Sequence, residues 1–136
     1  MTALTRILFP LPDYRRTAGS LFQWWESRRL TYNLFVGGTG LVSLAAMTLF
    51  SVLPPRGQPI GFLWRGVIVY GVLANVGYSL GWMAEMGMRV LWGDEAPYAG
   101  PALFRQGLSF AVGLTLLPIP LAMISWVVRL VGRFFS

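Results

Sequence analysis

Three long stretches of apolar residues, separated by short polar segments, dominate the pattern of this sequence. No charged residue occurs between Arg29 and Arg56, and the two later stretches carry charges only towards their ends. A helix rises about 1.5 Å per residue, so about twenty residues cross the roughly 30 Å of hydrocarbon in a bilayer. The pattern predicts one all-α integral membrane domain with three transmembrane helices, over residues 33–53, 62–88 and 102–130.

The residues before the first apolar stretch predict an irregular arm over residues 1–19 and an interfacial amphipathic helix over residues 20–31. Pro10 and Pro12 prevent a continuous helix in the arm. Ser20 and Gln23 have the spacing of a capping box at the start of the short helix. Aromatic rings and guanidinium groups favour the headgroup region of a bilayer. We therefore expect interfacial anchors at Trp24, Trp25, Arg28, Arg29 and Tyr32.

Prolines mark the ends and a break of the predicted spans. Pro54 and Pro55 end the first span, and Pro101 suits the first turn of the third helix. Pro118 and Pro120 fall near the middle of the third span, where they remove backbone donors. A pronounced kink is expected at that point.

Composition agrees with a lipid environment. Of the 136 residues, 55% are hydrophobic and 12% are charged, whereas soluble domains average about 25% charged residues. A chain of this size buries too small a share of its surface to hide so many apolar side chains from water. Lipid is therefore the expected solvent for the remaining apolar surface.

The net charge of +6 comes entirely from arginine, because the sequence contains no lysine. These arginines are scattered at the ends of the apolar stretches, so no nucleic-acid partner is expected. The positive-inside bias predicts a bacterial inner-membrane protein with its amino terminus inside and its carboxyl terminus outside. Seven arginines fall on the inner side (Arg6, Arg15, Arg16, Arg28, Arg29, Arg89 and Arg105), and four fall on the outer side (Arg56, Arg65, Arg129 and Arg133).

Cysteine and histidine are both missing from the sequence. Without them, thiolate chemistry, the commonest general base and the usual zinc and haem ligands are excluded. The few acidic residues do not form the dense polar cluster that a membrane enzyme needs at one interface. We therefore expect no catalytic residues, no metal site, no cofactor and no enzymatic activity.

A few polar residues fall near the centre of the predicted spans. Asn75 lies ten residues from Arg65 and ten from Glu85, and an amide in hydrocarbon needs a partner. Ser43 or Thr115 is the expected partner of Asn75. Glu85 is expected to pair with Arg89 one turn later.

Broken helices coordinate substrates in transporters, so one interpretation is a midplane polar site. It comprises Asn75, Thr115, Pro118 and Pro120. In the favoured interpretation Asn75 holds two helices together and the prolines bend one.

Small residues recur on one face of the second span and predict close helix packing. Gly77 and Gly81 form a GxxxG pair, a motif that lets another helix approach closely. The helix-packing residues are Ala74, Gly77, Gly81 and Ala84 on the second span, with Thr39, Ser43 and Ala46 as a matching face on the first. The two faces pack on each other within the chain, or the seam on the second span binds a partner.

These features favour a non-catalytic accessory, assembly or structural subunit of a larger membrane protein complex. Its expected partners are the lipid bilayer and either other membrane subunits or further copies of itself. The alternative is a small homo-oligomeric channel or transporter in which the midplane polar residues line the path.

The arginine bias and the odd number of spans together predict the topology. Reporters that distinguish the two sides of the membrane, fused to each terminus, should place the amino end inside and the carboxyl end outside. Two termini on the same side would contradict the three spans.

Overall fold

A computed structural model describes residues 17–57, 63–96 and 98–136, which fold into four helices. The helices are α1 (Ala18–Val52), α2 (Leu63–Trp92), α3 (Gly100–Leu116) and α4 (Pro118–Phe134). A single 3₁₀ turn, Gly93–Glu95, follows α2. Residues 1–16 of the arm predicted over residues 1–19 lie outside the described residues, and so do residues 58–62 and Pro97.

The helices confirm the all-α, three-span architecture. Three segments are long and apolar enough to cross a membrane, namely Ala18–Val52, Trp64–Glu95 and Gly100–Phe134. Most of their leucine, isoleucine and valine side chains lie on the outside of the bundle. An outward apolar surface of this extent needs lipid or another protein against it. The chain is therefore an integral membrane protein.

The predicted interfacial helix and the first span form a single helix, α1. Neither proline nor glycine occurs between Leu21 and Val36, so nothing ends the helix at the predicted boundary near Tyr32. The predicted cap at Ser20 and Gln23 is also displaced. Thr17 caps the helix instead, and its side chain and that of Ser20 each accept a hydrogen bond from the other's backbone N–H. The helix thus begins one turn earlier than predicted.

The proline break divides the third span into α3 and α4. The backbone of Leu117 keeps helical angles, and its N–H donates to the carbonyl of Gly113 at 3.1 Å. Pro118 follows at the first position of α4, where its missing N–H costs least. The two segments therefore continue as one membrane span across an interruption at the predicted position.

Helix α1 lies between the other elements and contacts α2, α3 and α4. At one end of the bundle, which we call the aromatic end, the first turns of α1 pack against the end of α2 and the start of α3. At the other end Arg129 of α4 donates hydrogen bonds to the carbonyls of Phe50 and Pro55, at 2.7 and 3.3 Å. Trp126 adds a bond to the carbonyl of Pro54. Hydrogen bonds thus connect α1 to α2 at the aromatic end, and connect the end of α1 and the residues after it to α4 at the other end.

Candidate functional site

A buried carboxylate joins three helices at the aromatic end. Glu85 of α2 is only 7% exposed. Its Oε2 accepts a hydrogen bond from the indole N–H of Trp25 in α1 at 2.7 Å, and its Oε1 accepts one from the backbone N–H of Gly100 in α3 at 3.1 Å. The first N–H groups of a helix lack partners inside the helix and carry partial positive charge. Glu85 therefore satisfies the start of α3 and fixes its distance from α1.

The predicted pair between Glu85 and Arg89 does not form. Arg89 points towards Asp94, with 3.9 Å between Nη2 and Oδ1, whereas the Glu85 carboxylate points inwards. Two N–H donors from neighbouring helices occupy its oxygens, so the residue one turn later has no role there. Glu85 is a structural acceptor rather than one half of a surface ion pair.

Gly100 leaves the space that the carboxylate occupies. A Cβ atom at this position would lie 2.6 Å from Oε2 and 2.9 Å from Oε1 of Glu85. Both distances are shorter than any ordinary carbon–oxygen contact, so a larger residue would displace the carboxylate. The close approach of α3 to Glu85 therefore requires glycine.

Perpendicular aromatic rings fill the interior beside Glu85. Trp25 and Phe104 are the most deeply buried large side chains, at 1% and 2% exposure. Trp25 meets Tyr78 at 5.4 Å and Phe104 at 6.3 Å between ring centres, in the edge-to-face arrangement that aromatic pairs favour. The hydroxyl of Tyr78 donates to the carbonyl of Trp25. Together these rings close the aromatic end of the bundle.

Three of the five predicted interfacial anchors lie in this interior. Trp25, Arg28 and Tyr32 are buried, because the continuous α1 turns them towards α2 and α3. The guanidinium of Arg28 stacks on the ring of Trp24 at 3.8 Å and donates to the carbonyl of Trp24 at 2.8 Å. The neighbouring Arg29, in contrast to Arg28, is half-exposed. Trp25 and Tyr32 thus bond to α2, whereas Arg28 bonds within α1.

Asn75 pairs with Asn33, a residue that the sequence interpretation did not single out. Each side-chain amide donates to the other's oxygen, at 3.2 and 2.9 Å, and Asn75 also donates to the carbonyl of Gly71. The predicted partners were Ser43 and Thr115. Asn33 lies four residues from Arg29, or about 6 Å along the helix. The amide pair is therefore close to the charged end of α1.

Ser43 and Thr115 meet each other instead, at the junction of α1, α2 and α3. Ser43 donates to the carbonyl of Thr115, and the Tyr70 hydroxyl lies 2.6 Å from the Thr115 hydroxyl and donates to the carbonyl of Ala111 at 2.8 Å. Tyr70 and Asn75 are five residues apart, so they point about 140° apart around α2. The structure consequently does not bring Asn75 together with Thr115 and the Pro118–Pro120 break in one midplane site.

The predicted small-residue seam has two different environments. Gly81 lies against the ring of Trp25, where an added Cβ would come within 2.9 Å. At Gly77 no atom of the described residues lies within 4 Å of the added Cβ. The carbonyl of Ala74 accepts a bond from Tyr32, and Ala84 is exposed. Between α2 and α3 a cavity of about 240 Å³ opens beside Gly77. The seam thus packs partly on an aromatic ring and partly faces this groove.

The matching small face on α1 contacts α3 rather than the seam on α2. Ser43 reaches Thr115, and a Cβ at Gly40 would lie 3.7 Å from the Thr115 methyl group. Thr39 donates to the carbonyls of Phe35 and Val36 in its own helix, and Ala46 is half-buried. The packing of the two small faces on each other, considered from the sequence, is therefore not the arrangement in the structure.

Polar side chains also line the outer face where α1 and α2 meet. We call this surface the polar face and define it as Glu26, Arg29, Asn33, Asn75 and Ser79, all of them half-buried. Arg29 forms an ion pair with Glu26 at 2.8 Å and donates to the Ser79 hydroxyl at 3.3 Å. A shallow, open depression lies beside Arg29, Asn75 and Ser79. Exposed apolar side chains of α2 form a rim along the polar face, at Ile68, Val72, Val76, Leu80 and Met83.

No protein-family model matches this chain, and neither a curated protein nor a solved structure is significantly similar to it.

The sequence interpretation missed two features. One is the polar face, and the other is the Glu85 junction, the point at which the Glu85 carboxylate accepts hydrogen bonds from α1 and α3. The spacing of Glu26, Arg29 and Asn33 places all three on one side of a continuous helix. The prediction ended the first helix before Asn33. It therefore separated Asn33 from the other two residues and did not show that all three share one side of α1. At the Glu85 junction, the sequence around Gly100 did not indicate its partner, because Glu85 lies fifteen residues earlier in the chain.

The two glycines of the seam provide a matched test of this packing. Gly81→Ala should lower the free energy of unfolding by about 1–3 kcal/mol, because the added methyl group meets the buried ring of Trp25. Gly77→Ala should change it by less than about 1 kcal/mol, since the position is open. Equilibrium unfolding in mixed detergent micelles measures both values. Equal losses at the two positions would contradict the packing of Gly81 on Trp25.

Proposed function

We propose that this chain is a non-catalytic accessory or assembly subunit of a larger membrane protein complex. In this proposal the polar face binds a neighbouring transmembrane helix. The observation that carries the proposal is the position of the polar face. Five half-buried polar side chains lie on the outside of two membrane-spanning helices, beside a rim of exposed apolar residues.

A protein partner removes an energetic cost that lipid leaves in place. Hydrocarbon offers no hydrogen bonds, so polar side chains in a spanning segment usually face other helices or a water-filled cavity. Hydrogen bonds between membrane helices contribute about 0.6–2 kcal/mol each. The internal bonds of the polar face satisfy part of its hydrogen-bonding capacity, and a partner helix packed on the shallow depression would shield the rest from lipid.

The non-catalytic part of the proposal is supported by the chemistry of the chain. The sequence contains neither cysteine nor histidine. The one buried carboxylate among the described residues, Glu85, already accepts two hydrogen bonds from neighbouring helices. An acceptor held in this way positions helices and is not aimed into a substrate cavity.

A small homo-oligomeric channel or transporter is the second candidate. Several copies arranged with their polar faces inwards would bring Asn75 and Ser79 to a shared central path. Both amide hydrogens of Asn75 are already donated, to Asn33 and to Gly71. This bonding favours a role in adhesion over one in coordinating a solute, so the accessory role is preferred.

The proposal includes the bacterial inner membrane as the location, with the amino terminus inside and the carboxyl terminus outside. The excess of arginines on the amino-terminal side supports this orientation.

Site-directed photocrosslinking tests whether the polar face contacts protein. The chain has no cysteine, so a single introduced cysteine carries a benzophenone label at one position only. Val72→Cys places the label beside the polar face. Val42→Cys is the matched control, because the two valines are 59% and 57% exposed. Val42 lies nine residues from Asn33 and thus on the opposite side of α1.

In native membranes the label at Val72 should form a discrete protein adduct, and the label at Val42 should give lipid adducts. Lipid adducts alone at both positions would contradict a protein partner at the polar face. Loss of ion or solute flux in proteoliposomes on Asn75→Leu, with the adduct at Val72 intact, would favour the transport alternative.

A further inference from the structure

Two charged atoms of the polar face have no partner among the described residues. Both hydrogen bonds from Arg29 to Glu26 end on the same oxygen, Oε1, at 3.1 and 2.8 Å. Within residues 17–57, 63–96 and 98–136, no donor bonds to Oε2 of Glu26, and Nη1 of Arg29 donates to no acceptor. The side chains of Arg29 and Glu26 are 32% and 35% exposed, so the polar face presents this carboxylate oxygen and this guanidinium nitrogen outwards.

These two groups are complementary to each other, and hence to a second copy of the same surface. Glu26 and Arg29 are three residues apart, about 4.5 Å along α1. A two-fold axis parallel to the membrane normal keeps every residue at its own depth and presents the same patch on both subunits. Glu26 of one copy and Arg29 of the other then lie within a few ångströms in depth, twice over.

We propose that the polar face is the interface of a two-fold symmetric dimer of this chain. The dimer rests on the proposed function, in that it takes the polar face to bind protein and names that protein as a second copy. The two Glu26 and two Arg29 side chains then alternate in charge around the axis. Each Arg29 lies between the carboxylate of Glu26 in its own chain and the carboxylate of Glu26 in the other copy. The apolar rim at Val72, Val76 and Met83 packs around this network.

Charge distinguishes a second copy from the other occupants of the polar face. An anionic lipid headgroup would meet Arg29, but the Glu26 carboxylate lies 2.8 Å from the same guanidinium and repels it. A different polypeptide would need both an acid and a base at this spacing. A second copy supplies both by symmetry, and the pair adds no net charge to the interface.

Reciprocal charge reversal tests the contact between copies. Glu26→Arg makes the charges of the polar face both positive, and Arg29→Glu makes them both negative, so each variant should repel a copy of itself. Like charges placed together across an interface repel, and opposite charges attract. The two variants, co-expressed with different affinity tags, should form mixed pairs at least about tenfold more often than pairs of either variant with itself.

The design separates pairing from folding. Each variant lacks the ion pair between residues 26 and 29 of its own chain, in self pairs and in mixed pairs alike. Damage to the fold therefore cannot produce a preference for the mixed pair. Circular dichroism and the yield of each variant in detergent confirm that both chains are helical. A mixture of Glu26→Arg with Arg133→Glu is the control, because Arg133 lies at the far end of α4 and leaves the polar face unchanged. The Arg133→Glu chain should therefore pair mainly with itself rather than with Glu26→Arg.

The same membranes give the outcome that overturns the dimer. Wild-type chains with two different tags should co-purify, and the adduct at Val72 should have the mass of two copies. A mixed pair no more frequent than the self pairs, or an adduct between Val72 and a different polypeptide, would overturn the dimer. The latter adduct would leave the proposed function standing, whereas lipid adducts alone would overturn both.

Discussion

The buried carboxylate of Glu85 is the constraint on which the arrangement of the helices depends. A carboxylate without partners in a lipid-surrounded bundle is costly, and here its partners are a side chain of α1 and the backbone at the start of α3. Satisfying them fixes the three spans relative to one another at the aromatic end. Trp25 must then lie over Gly81, and Gly100 must remain without a side chain. Association by apolar packing alone would not select this register, because lipid offers the same apolar contacts.

Once the register is set, it decides which polar groups lie inside the bundle and which lie outside. Trp25, Arg28 and Tyr32 turn inwards and build the aromatic interior with Tyr78 and Phe104. The adjacent side of α1, about 100° around the helix, then carries Glu26, Arg29 and Asn33 against Asn75 and Ser79 of α2. The polar face is therefore a consequence of the same helical rotation that buries Glu85.

The spans, their apolar character and the proline break were predictable, because each depends on residues that are neighbours in sequence. Helix partners were not predictable. Glu85 has an arginine one turn away, and local spacing favoured that pair over an indole sixty residues distant. Asn75 was assigned to Ser43 or Thr115 because depth was counted from charges, whereas rotation about α2 decided its partner. The predicted end of the first helix near Tyr32 separated Asn33 from Glu26 and Arg29, and the sequence did not show that Trp25, Arg28 and Tyr32 are buried.

A double-mutant cycle between Trp25 and Glu85 tests this account most directly. Trp25→Phe and Glu85→Met should each lower the free energy of unfolding in mixed micelles, since each leaves a buried polar partner unsatisfied. The double variant should recover about 1–3 kcal/mol relative to the sum of the two losses, because neither partner then remains. The same cycle between Glu85 and Arg89 should show a coupling near zero. Additive losses at Trp25 and Glu85, or a strong coupling to Arg89 instead, would contradict the central role of the Glu85 junction.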